Sequence, residues 1–239
     1  MNRDFFITIL AAGKGTRMNS ETPKVLHALN NKAMIDYVIE TADEMNPKKI
    51  FIIVGFKKDQ VINHIHRSDL EYVEQKEQLG TGHAVLQLEK FLSKERGHLL
   101  VLYGDVPNIN KESLLPIINS HIKNNIDATI VTAILKEPTG YGRIIRSKSG
   151  KLIKIVEEKD CNTIERGIQE INSGIYIFKI SQLFKNLKKI KSNNESNEYY
   201  LTDVVELINK NGIVNAKKIK NSLEILGINS VEQLESLKQ

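Results

Sequence analysis

A glycine-rich basic segment follows an apolar run at the start of this 239-residue chain. The run Phe5–Leu10 is almost wholly apolar, which is typical of a buried strand in a parallel sheet, and side-chain bulk then falls away towards Gly13 and Gly15. Glycine permits the positive φ angles that turn several backbone N–H groups towards one anion, while Arg17 and Lys24 add positive charges. The segment is therefore predicted to hold a polyphosphate. It lacks both the Gly-Lys-Ser/Thr ending of a Walker loop and the third glycine of a dinucleotide fingerprint.

A carboxylate follows another apolar run. Asp105 comes just after Leu99–Leu102, which places it at the ligand-binding edge of the predicted sheet. A magnesium ion carried by a triphosphate needs few protein ligands, because it keeps waters and takes phosphate oxygens. Asp105 and one further oxygen donor, such as Asn229, would be enough. The alternative is that Asp105 closes a tight turn before Pro107 and that Asn229 only shapes the entry to a last helix.

The polar loop that begins at Gln75 leads into a predicted helix. The side chains of Gln75 and Gln78 can donate and accept hydrogen bonds together, which suits the edge of a pyrimidine, where a carbonyl and an N–H lie side by side. Gly80 and Thr81 complete the loop. The alternative is that Thr81 simply caps the following helix.

Two further turns, at residues 139–143 and 171–174, contain small residues and a few polar groups, and Glu157 lies between them in the sequence. Carboxylate and amide groups suit sugar hydroxyls, which both donate and accept hydrogen bonds, and glycine lets a sugar ring lie against the backbone. Together these residues are predicted to bind a sugar. Each turn taken alone is also compatible with an ordinary hairpin.

The elements that must position these residues alternate between strand and helix. This pattern predicts an α/β fold, a mostly parallel twisted sheet with helices on both faces and ligands at the carboxyl ends of the strands. Residues 140–158 break the alternation and predict an inserted β-hairpin that forms a wall or lid of the sugar site. Strands are predicted at 5–10, 49–54, 70–73, 98–103, 128–135 and 173–178, and helices at 33–45, 83–92, 111–124, 181–189 and around 204–208.

Composition indicates one large domain, residues 1–229, followed by a C-terminal helix at 230–239 that begins with a capping box at Ser230. The formal charge of +5 is spread over the whole chain and aromatic residues make up only 6%, which argues against a nucleic-acid-binding face. A single Cys161, scattered histidines, and the lack of a signal peptide or an apolar run of membrane length predict a soluble cytoplasmic protein without a disulfide or zinc site.

With these segments assembled, the chain resembles the sugar-phosphate nucleotidyltransferases. Within that superfamily it is most similar to the N-terminal uridylyltransferase domain of bacterial bifunctional N-acetylglucosamine-1-phosphate uridylyltransferases. The similarity spans nearly the whole chain. The motifs that carry it are at 10–18, 23–26, 77–84, 103–107, 139–143, 156–160, 170–174, 198–203 and 227–229.

The resemblance implies a Rossmann-like fold and a role for each matching residue. Arg17, Lys24 and Asp105 are implied to be catalytic, and Asp105 with Asn229 to hold Mg²⁺. The implied sugar-binding residues are Gly142, Glu157, Asn172 and Thr202. The implied nucleotide-binding residues are Leu10, Ala11, Ala12, Gly13, Lys24, Gln75, Gln78, Gly80, Thr81, Tyr103 and Gly104.

The implied reaction is magnesium-dependent transfer of UMP from UTP to N-acetylglucosamine 1-phosphate, with no nucleic-acid or membrane partner. Members of that group continue into a β-helix acetyltransferase that also forms the trimer, and this sequence has no hexapeptide repeat of that kind. We therefore expect no acetyl transfer, and a monomer or weak dimer. Two alternatives remain open: the same reaction with another hexose 1-phosphate or nucleotide, and a catalytically silent domain that binds nucleotides for regulation.

Overall fold

The computed structural model describes residues 5–18, 20–228, 230 and 233. These residues form a nine-stranded mixed sheet, a small two-stranded sheet and flanking helices. The strands are β1 Phe5–Ala11, β2 Ala28–Leu29, β3 Lys32–Ala33, β4 Ile50–Val54, β5 Glu71–Glu74, β6 His98–Tyr103, β7 Ala128–Ile134, β8 Arg143–Arg146, β9 Leu152–Val156, β10 Glu170–Lys179 and β11 Val214–Lys218. The α-helices are α1 Met34–Glu44, α2 Lys58–Ile65, α3 Thr81–Leu86, α4 Glu89–Leu92, α5 Lys111–Lys123, α6 Thr163–Arg166, α7 Ile180–Leu187 and α8 Leu201–Asn209.

The main sheet has the strand order β11-β7-β10-β6-β1-β4-β5. Strands β6, β1, β4 and β5 are parallel to one another, and β11 is parallel to β7. Strand β10 runs antiparallel to both of its neighbours, β6 and β7. The predicted α/β class is therefore confirmed, with β10 as the reversed strand.

Strand β1 organises the core. It lies between β4 and β6, and all seven of its residues are buried. Because side chains alternate along a strand, Ile7 and Ile9 belong to one apolar cluster with residues of α1 and α5. Phe6 and Leu10 face the other way and belong to a second cluster with residues of α3, α7 and α8. The prediction of helices on both faces is confirmed.

The predicted hairpin is present as β8 and β9, which pair antiparallel. It joins the main sheet through one pairing of β8 with β10, at Arg143 and Ile171. Its apolar residues Ile144 and Ile155 belong to the second cluster, and the Asn209 amide at the end of α8 donates to Leu152 O. The hairpin is thus held against α8 beside the end of the sheet.

Several elements differ from the sequence-based prediction. The helix expected at 83–92 is two shorter helices, α3 and α4, and β10 begins at Glu170 rather than at residue 173. Strand β11 was not predicted, because Asn215, Lys217 and Lys218 dilute its apolar pattern, as is common on an exposed sheet edge. At the expected last helix, the Gln233 N–H donates to Ser230 Oγ, and residues 231–232 and 234–239 lie outside the described residues. None of the helices in the described ranges combines the length and apolar character needed to cross a membrane.

Candidate functional site

Two adjoining cavities open at the carboxyl ends of β1 and β6. The first has a volume of about 430 Å³ and the second a volume of about 260 Å³. Thr81, Tyr103, Asp105 and Glu198 line both, so that the cavities form one continuous cleft. A cleft with a larger and a smaller compartment can hold two ligands side by side, with their contact at the shared residues.

The glycine-rich segment forms one side of the first cavity. Gly15 has φ +61°, and a Cβ at this position would lie 2.6 Å from the Cβ of Lys24. Only glycine therefore fits both the backbone conformation and the close approach of Lys24. A Cβ at Gly13 would meet no heavy atom within 4 Å in the described part of the chain, so the backbone there is open to a ligand. Leu10, Ala11, Ala12, Gly13, Arg17 and Lys24 all line this cavity.

The loop after β4 supports the glycine-rich segment from behind. The Phe56 N–H donates to Ala12 O at 3.0 Å, and Lys14 Nζ lies 5.8 Å from the centre of the Phe56 ring. The next residue, Lys57, has φ +47° and donates to Glu21 O at 2.6 Å. Sequence reasoning missed this support, because neither Phe56 nor Lys57 belongs to a recognisable motif.

Lys24 and Asp105 form an ion pair where the two cavities meet. Both side chains are largely buried, with exposed fractions of 12% and 16%. The backbone around Asp105 is also fixed, because the Ile228 N–H donates to Asp105 O at 2.9 Å and the Gly104 N–H donates to Leu10 O at 3.0 Å. The sequence therefore places a cation and a carboxylate from distant segments at the same point of the cleft.

The residues at this point fit a magnesium ion that is shared with a substrate. The Asp105 carboxylate is a hard oxygen ligand of the kind that Mg²⁺ prefers, and it faces both cavities. No group of three or more histidine, cysteine, aspartate or glutamate side chains in the described residues could hold a metal by itself. A metal here would therefore depend on ligand oxygens as well as on Asp105. The second predicted ligand, Asn229, lies outside the described residues.

The polar loop before α3 lines the first cavity and is cross-linked by its own side chains. The buried Gln75 amide donates to Gly80 O at 3.0 Å, and the Gln78 amide donates to Gln75 O at 2.9 Å. Gly80 has φ +106°, and a Cβ there would lie 2.7 Å from Tyr199 O. The two glutamines thus fix the shape of the loop.

The alternative interpretation, in which the Thr81 hydroxyl caps its own helix, is wrong. Instead Thr81 Oγ1 accepts a hydrogen bond from the Leu201 N–H at 3.1 Å, and so links α3 to the first residue of α8. Thr81 also lines both cavities together with Tyr103. Burial raises the pKa of the Tyr103 phenol above its ordinary value.

The second cavity is lined by polar groups of the hairpin and of β10. A Cβ at Gly142 would lie 3.3 Å from Glu157 Oε2, a tight contact that a larger residue could make only if that carboxylate shifted. Thr202 Oγ1 donates to Glu157 Oε1 at 3.1 Å. Burial raises the pKa of Glu157, whereas the hydrogen bond from Thr202 opposes that rise.

Asn172 lines the second cavity together with Glu157 and lies at an irregularity of β10. Its N–H donates to Gly142 O at 2.8 Å, and its side-chain amide donates to the hydroxyl of Tyr176 at 2.6 Å. The pairing with β7 shifts register between Asn172 and Tyr176, and Gly174 has φ +83° within this stretch. The bulge turns the polar side of β10 towards the cavity, as bulges next to binding sites commonly do.

Residues 7–222 match the profile of a family described as nucleotidyl transferase. The chain belongs to the nucleotidyl transferase family. It is 45% identical over 229 residues to the bifunctional protein GlmU of Gloeothece citriformis, a match that covers 95% of this chain and 50% of that protein. It is also 45% identical over 227 residues to the bifunctional protein GlmU of Thermoanaerobacter pseudethanolicus, covering 95% and 49% of the two chains. The chain thus spans about half the length of the curated relatives it matches.

The fold of this nucleotidyl transferase is also found in a solved structure. The crystal structure of UDP-glucose pyrophosphorylase complexed with UDP-glucose superimposes with a TM-score of 0.77 at 21% sequence identity, and the match covers 98% of this chain and 97% of that one. At this identity the likeness establishes a shared fold.

In this nucleotidyl transferase most of the predicted site residues that the structure describes line one of the two cavities, and two of them do not. Gly104 lies beneath the cleft, where a Cβ would meet Val25 Cγ1 at 3.0 Å. Thr202 lies behind Glu157, and Asn229 is outside the described residues. Tyr141, in a turn that was predicted to bind a sugar, also lines the second cavity. No role was predicted for Glu198 or Tyr200, although the first lines both cavities, the other lines the second, and both lie in a motif that carried the resemblance.

Proposed function

We propose that the chain transfers UMP from UTP to N-acetylglucosamine 1-phosphate, forming UDP-N-acetylglucosamine and pyrophosphate. The observation that carries the proposal is the paired cleft, in which a larger and a smaller cavity share the residues around the Lys24–Asp105 ion pair. A nucleotide in the first cavity and a sugar phosphate in the second would bring their phosphates together at this ion pair. The sequence resemblance and the 45% identity to GlmU proteins support the choice of substrates.

In the proposed reaction an oxygen of the sugar 1-phosphate attacks the α-phosphorus of UTP. A new P–O bond forms, the bond from the α-phosphorus to the bridging oxygen breaks, and pyrophosphate leaves from the opposite side. The attacking phosphate is already ionised near neutral pH, so the reaction needs no general base. The protein must instead align two anions that repel each other and neutralise the charge that develops.

Arg17 and Lys24 are the cations that the proposal assigns to this task. Both line the first cavity, Arg17 from the short helical turn at Thr16–Met18 and Lys24 from the next turn along the chain. Lys24 lies at the boundary with the second cavity, where the two phosphates would meet, and Arg17 would face the departing pyrophosphate. Their charges would be present before the reaction begins, so little reorganisation accompanies it.

Magnesium is the metal that the proposal places at Asp105. The oxygen of this carboxylate and the predicted neutral oxygen of Asn229 would hold it together with phosphate oxygens of the substrates. When bound, Mg²⁺ would supply positive charge to the reacting phosphates. Asp105 also orients Lys24, since the two side chains are hydrogen-bonded to each other.

The second cavity has the groups that a sugar requires. The Glu157 carboxylate and the Asn172 amide line its walls, and Gly142 leaves space beside Glu157. Such groups bind hydroxyls and amides through paired donors and acceptors. Thr202 would act on the sugar through Glu157, because its hydroxyl is directed at that carboxylate.

The test is pyrophosphate release by the purified chain on a panel of nucleoside triphosphates and hexose 1-phosphates, each with and without Mg²⁺. We expect the highest kcat/KM for UTP with N-acetylglucosamine 1-phosphate, and no turnover after removal of the metal. A higher kcat/KM with another pair would replace the proposed substrates and retain the reaction. Nucleotide binding without turnover on any sugar phosphate would support the silent-domain alternative and overturn the proposal.

A further inference from the structure

Arg143 is among the largest fully buried side chains in the part of the chain that the structure describes, with an exposed fraction of 2%. It is the first residue of β8 and follows Gly142, which lines the second cavity. Arg143 itself lines neither cavity, so it is not placed to contact a substrate. Arg143 is therefore a buried cation next to a binding cavity that it does not enter.

The contacts of Arg143 join three segments around the second cavity. Its Nη1 lies 2.7 Å from Glu158 Oε2 and also donates to Tyr141 O, while its Nη2 donates to Arg166 O at 3.4 Å. Its Nε is buried and has no hydrogen-bond partner among the described residues. The guanidinium is thus held by its two terminal nitrogens, which reach the turn, the segment after β9 and α6.

Glu158 completes the connection to the turn that lines the second cavity. Its Oε2, the same oxygen that pairs with Arg143, accepts a hydrogen bond from the Gly140 N–H at 3.2 Å. Gly140 has φ +88°, and a Cβ there would meet no heavy atom within 4 Å in the described residues, so nothing packs against the turn on that side. Tyr141 anchors the turn to the core, and the Glu158 carboxylate holds the backbone at Gly140.

Glu158 is also adjacent to Glu157, the carboxylate of the second cavity. Glu157 immediately precedes the short helical turn Glu158–Asp160, so the position of its backbone follows that of Glu158. The Arg143–Glu158 ion pair thus restrains Gly140 and Tyr141 on one wall and Glu157 on the other. All three of these restrained residues line the second cavity.

Stability alone does not account for this arrangement. Burial removes the charge of the Arg143 guanidinium from water, whereas Glu158 is 24% exposed, and replacing buried charged pairs with apolar residues of similar volume is often neutral or stabilising. An unpartnered Nε adds a further desolvation cost. What a guanidinium supplies, and a lysine does not, is a rigid planar set of donors that can hold several acceptors at once.

We infer that Arg143 and Glu158 are positioning residues for the sugar phosphate, which hold the turn at Gly140 and the carboxylate of Glu157 in place for it. This inference rests on the proposed function, since it assigns the second cavity to a hexose 1-phosphate. Neither residue of the ion pair lines the first cavity. Its loss should therefore affect the sugar phosphate far more than UTP.

The test is steady-state kinetics of Arg143→Met, Arg143→Lys and Glu158→Gln, with the KM of each substrate measured separately. We expect Glu158→Gln to raise the KM for the sugar phosphate about tenfold, the scale of a small misplacement of binding groups, with the KM for UTP within about twofold of wild type. Arg143→Met should have a larger effect. Arg143→Lys should restore only part of the loss, because the single nitrogen of an ammonium cannot occupy the positions of both Nη1 and Nη2.

Arg166→Met is the matched control. Arg166 pairs with the same carboxylate, with its Nη1 3.4 Å from Glu158 Oε1, but its side chain is 53% exposed and donates to Cys161 O instead of the turn. We expect its KM values to match those of the wild type. Thermal unfolding of each variant separates misplacement from misfolding, and Glu158→Gln carries the test if Arg143→Met does not fold.

The outcomes distinguish this inference from the proposed function. The KM ratio is measured on whichever hexose 1-phosphate the wild type uses, so a different sugar leaves the test intact. An unchanged sugar KM in folded Glu158→Gln and Arg143→Lys overturns the positioning role. An equal rise in both KM values, or the same rise in Arg166→Met, also overturns it. A wild type without turnover on any hexose 1-phosphate overturns both.

Discussion

Lys24 Nζ donates a hydrogen bond to Asp105 Oδ2, across 81 positions of sequence and at the boundary between the two cavities. In the protein alone the charges of these two side chains balance each other. Substrate phosphates and a metal ion, in contrast, each find a partner of opposite charge. The pair can therefore serve both ligands of the proposed reaction.

Asp105→Asn tests the carboxylate half of this pair. The amide keeps the size of the side chain but loses the charge that Lys24 and a metal ion require, so we expect kcat to fall by about 10²-fold or more. Binding of Mg²⁺ with UTP, measured by calorimetry, should weaken in parallel. The control is Asp59→Asn in the first turn of α2, an exposed aspartate outside the cleft. Wild-type turnover and metal binding in Asp105→Asn would remove this carboxylate from the proposed site.

Arg17→Ala tests the cation assigned to the departing pyrophosphate. Loss of one charge that acts on the transition state lowers turnover by about 10²-fold or more, and the fold should be retained because Arg17 is exposed. Arg96→Ala is the control, since this exposed arginine precedes β6 at the opposite edge of the sheet. Near-normal kcat in a folded Arg17→Ala variant would contradict the assignment.

Gly15→Ala tests whether the glycine-rich segment needs glycine for its shape. Its positive φ and the 2.6 Å approach to the Cβ of Lys24 predict that alanine displaces Lys24, so kcat should fall strongly. Gly150→Ala in the β8–β9 turn is a matched control, because its φ is +80° with no atom within 4 Å in the described residues. Both variants should lose about 1–2 kcal/mol of unfolding free energy from the left-handed backbone. Only Gly15→Ala should lose activity. Steady-state kinetics measures kcat, and chemical denaturation measures the free energy of unfolding of each variant.

The pH dependence of sugar-phosphate binding tests Glu157. Burial raises the pKa of this carboxyl, so as the pH falls Glu157 takes up a proton earlier than an exposed glutamate does, and it then loses its negative charge and turns one acceptor oxygen into a donor. We expect the KM for the sugar phosphate to rise as the pH falls through this raised pKa, and Glu157→Gln to remove that dependence.

The same shift has a defined sign for stability. Because the folded pKa of Glu157 lies above the unfolded value, its contribution to the free energy of unfolding is fully present at acid pH and is lost as the pH rises through the folded pKa.

Glu112→Gln, at an exposed residue of α5, is the control for the pH dependence of KM. The substrate phosphate itself titrates in the same way with this variant as with the wild type. If Glu157→Gln and Glu112→Gln have the same KM profile as the wild type, Glu157 does not titrate in the site.

Part of this structure could be predicted from local patterns. The apolar run of β1 and the loss of bulk at Gly13 identified the strand and the loop, since both follow from the chain's own steric properties. Asp105 was placed at the sheet edge because it follows β6. The hairpin of β8 and β9 was evident from its alternation and its turn.

Relationships between distant segments could not be predicted in this way. Periodicity does not show that Thr202 is directed at Glu157, or that the Thr81 hydroxyl accepts from Leu201. The burial of Arg143 was not predicted, because a charged residue in a sequence is by default expected at the surface. These features depend on which elements pack together, and the sheet order that decides this includes the unpredicted β11 and the reversed β10.

The reversal of β10 has a consequence for how the cleft can vary. Because β10 runs against β6, residues near its beginning, such as Asn172, meet the second cavity, whereas β1 and β6 reach the cleft with their ends. The walls of the two cavities thus come largely from separate stretches of chain: the early loops for the first, and the hairpin with the start of β10 for the second. Insertions or substitutions in one stretch leave the other in place, so the two ligand specificities can diverge independently on the same scaffold.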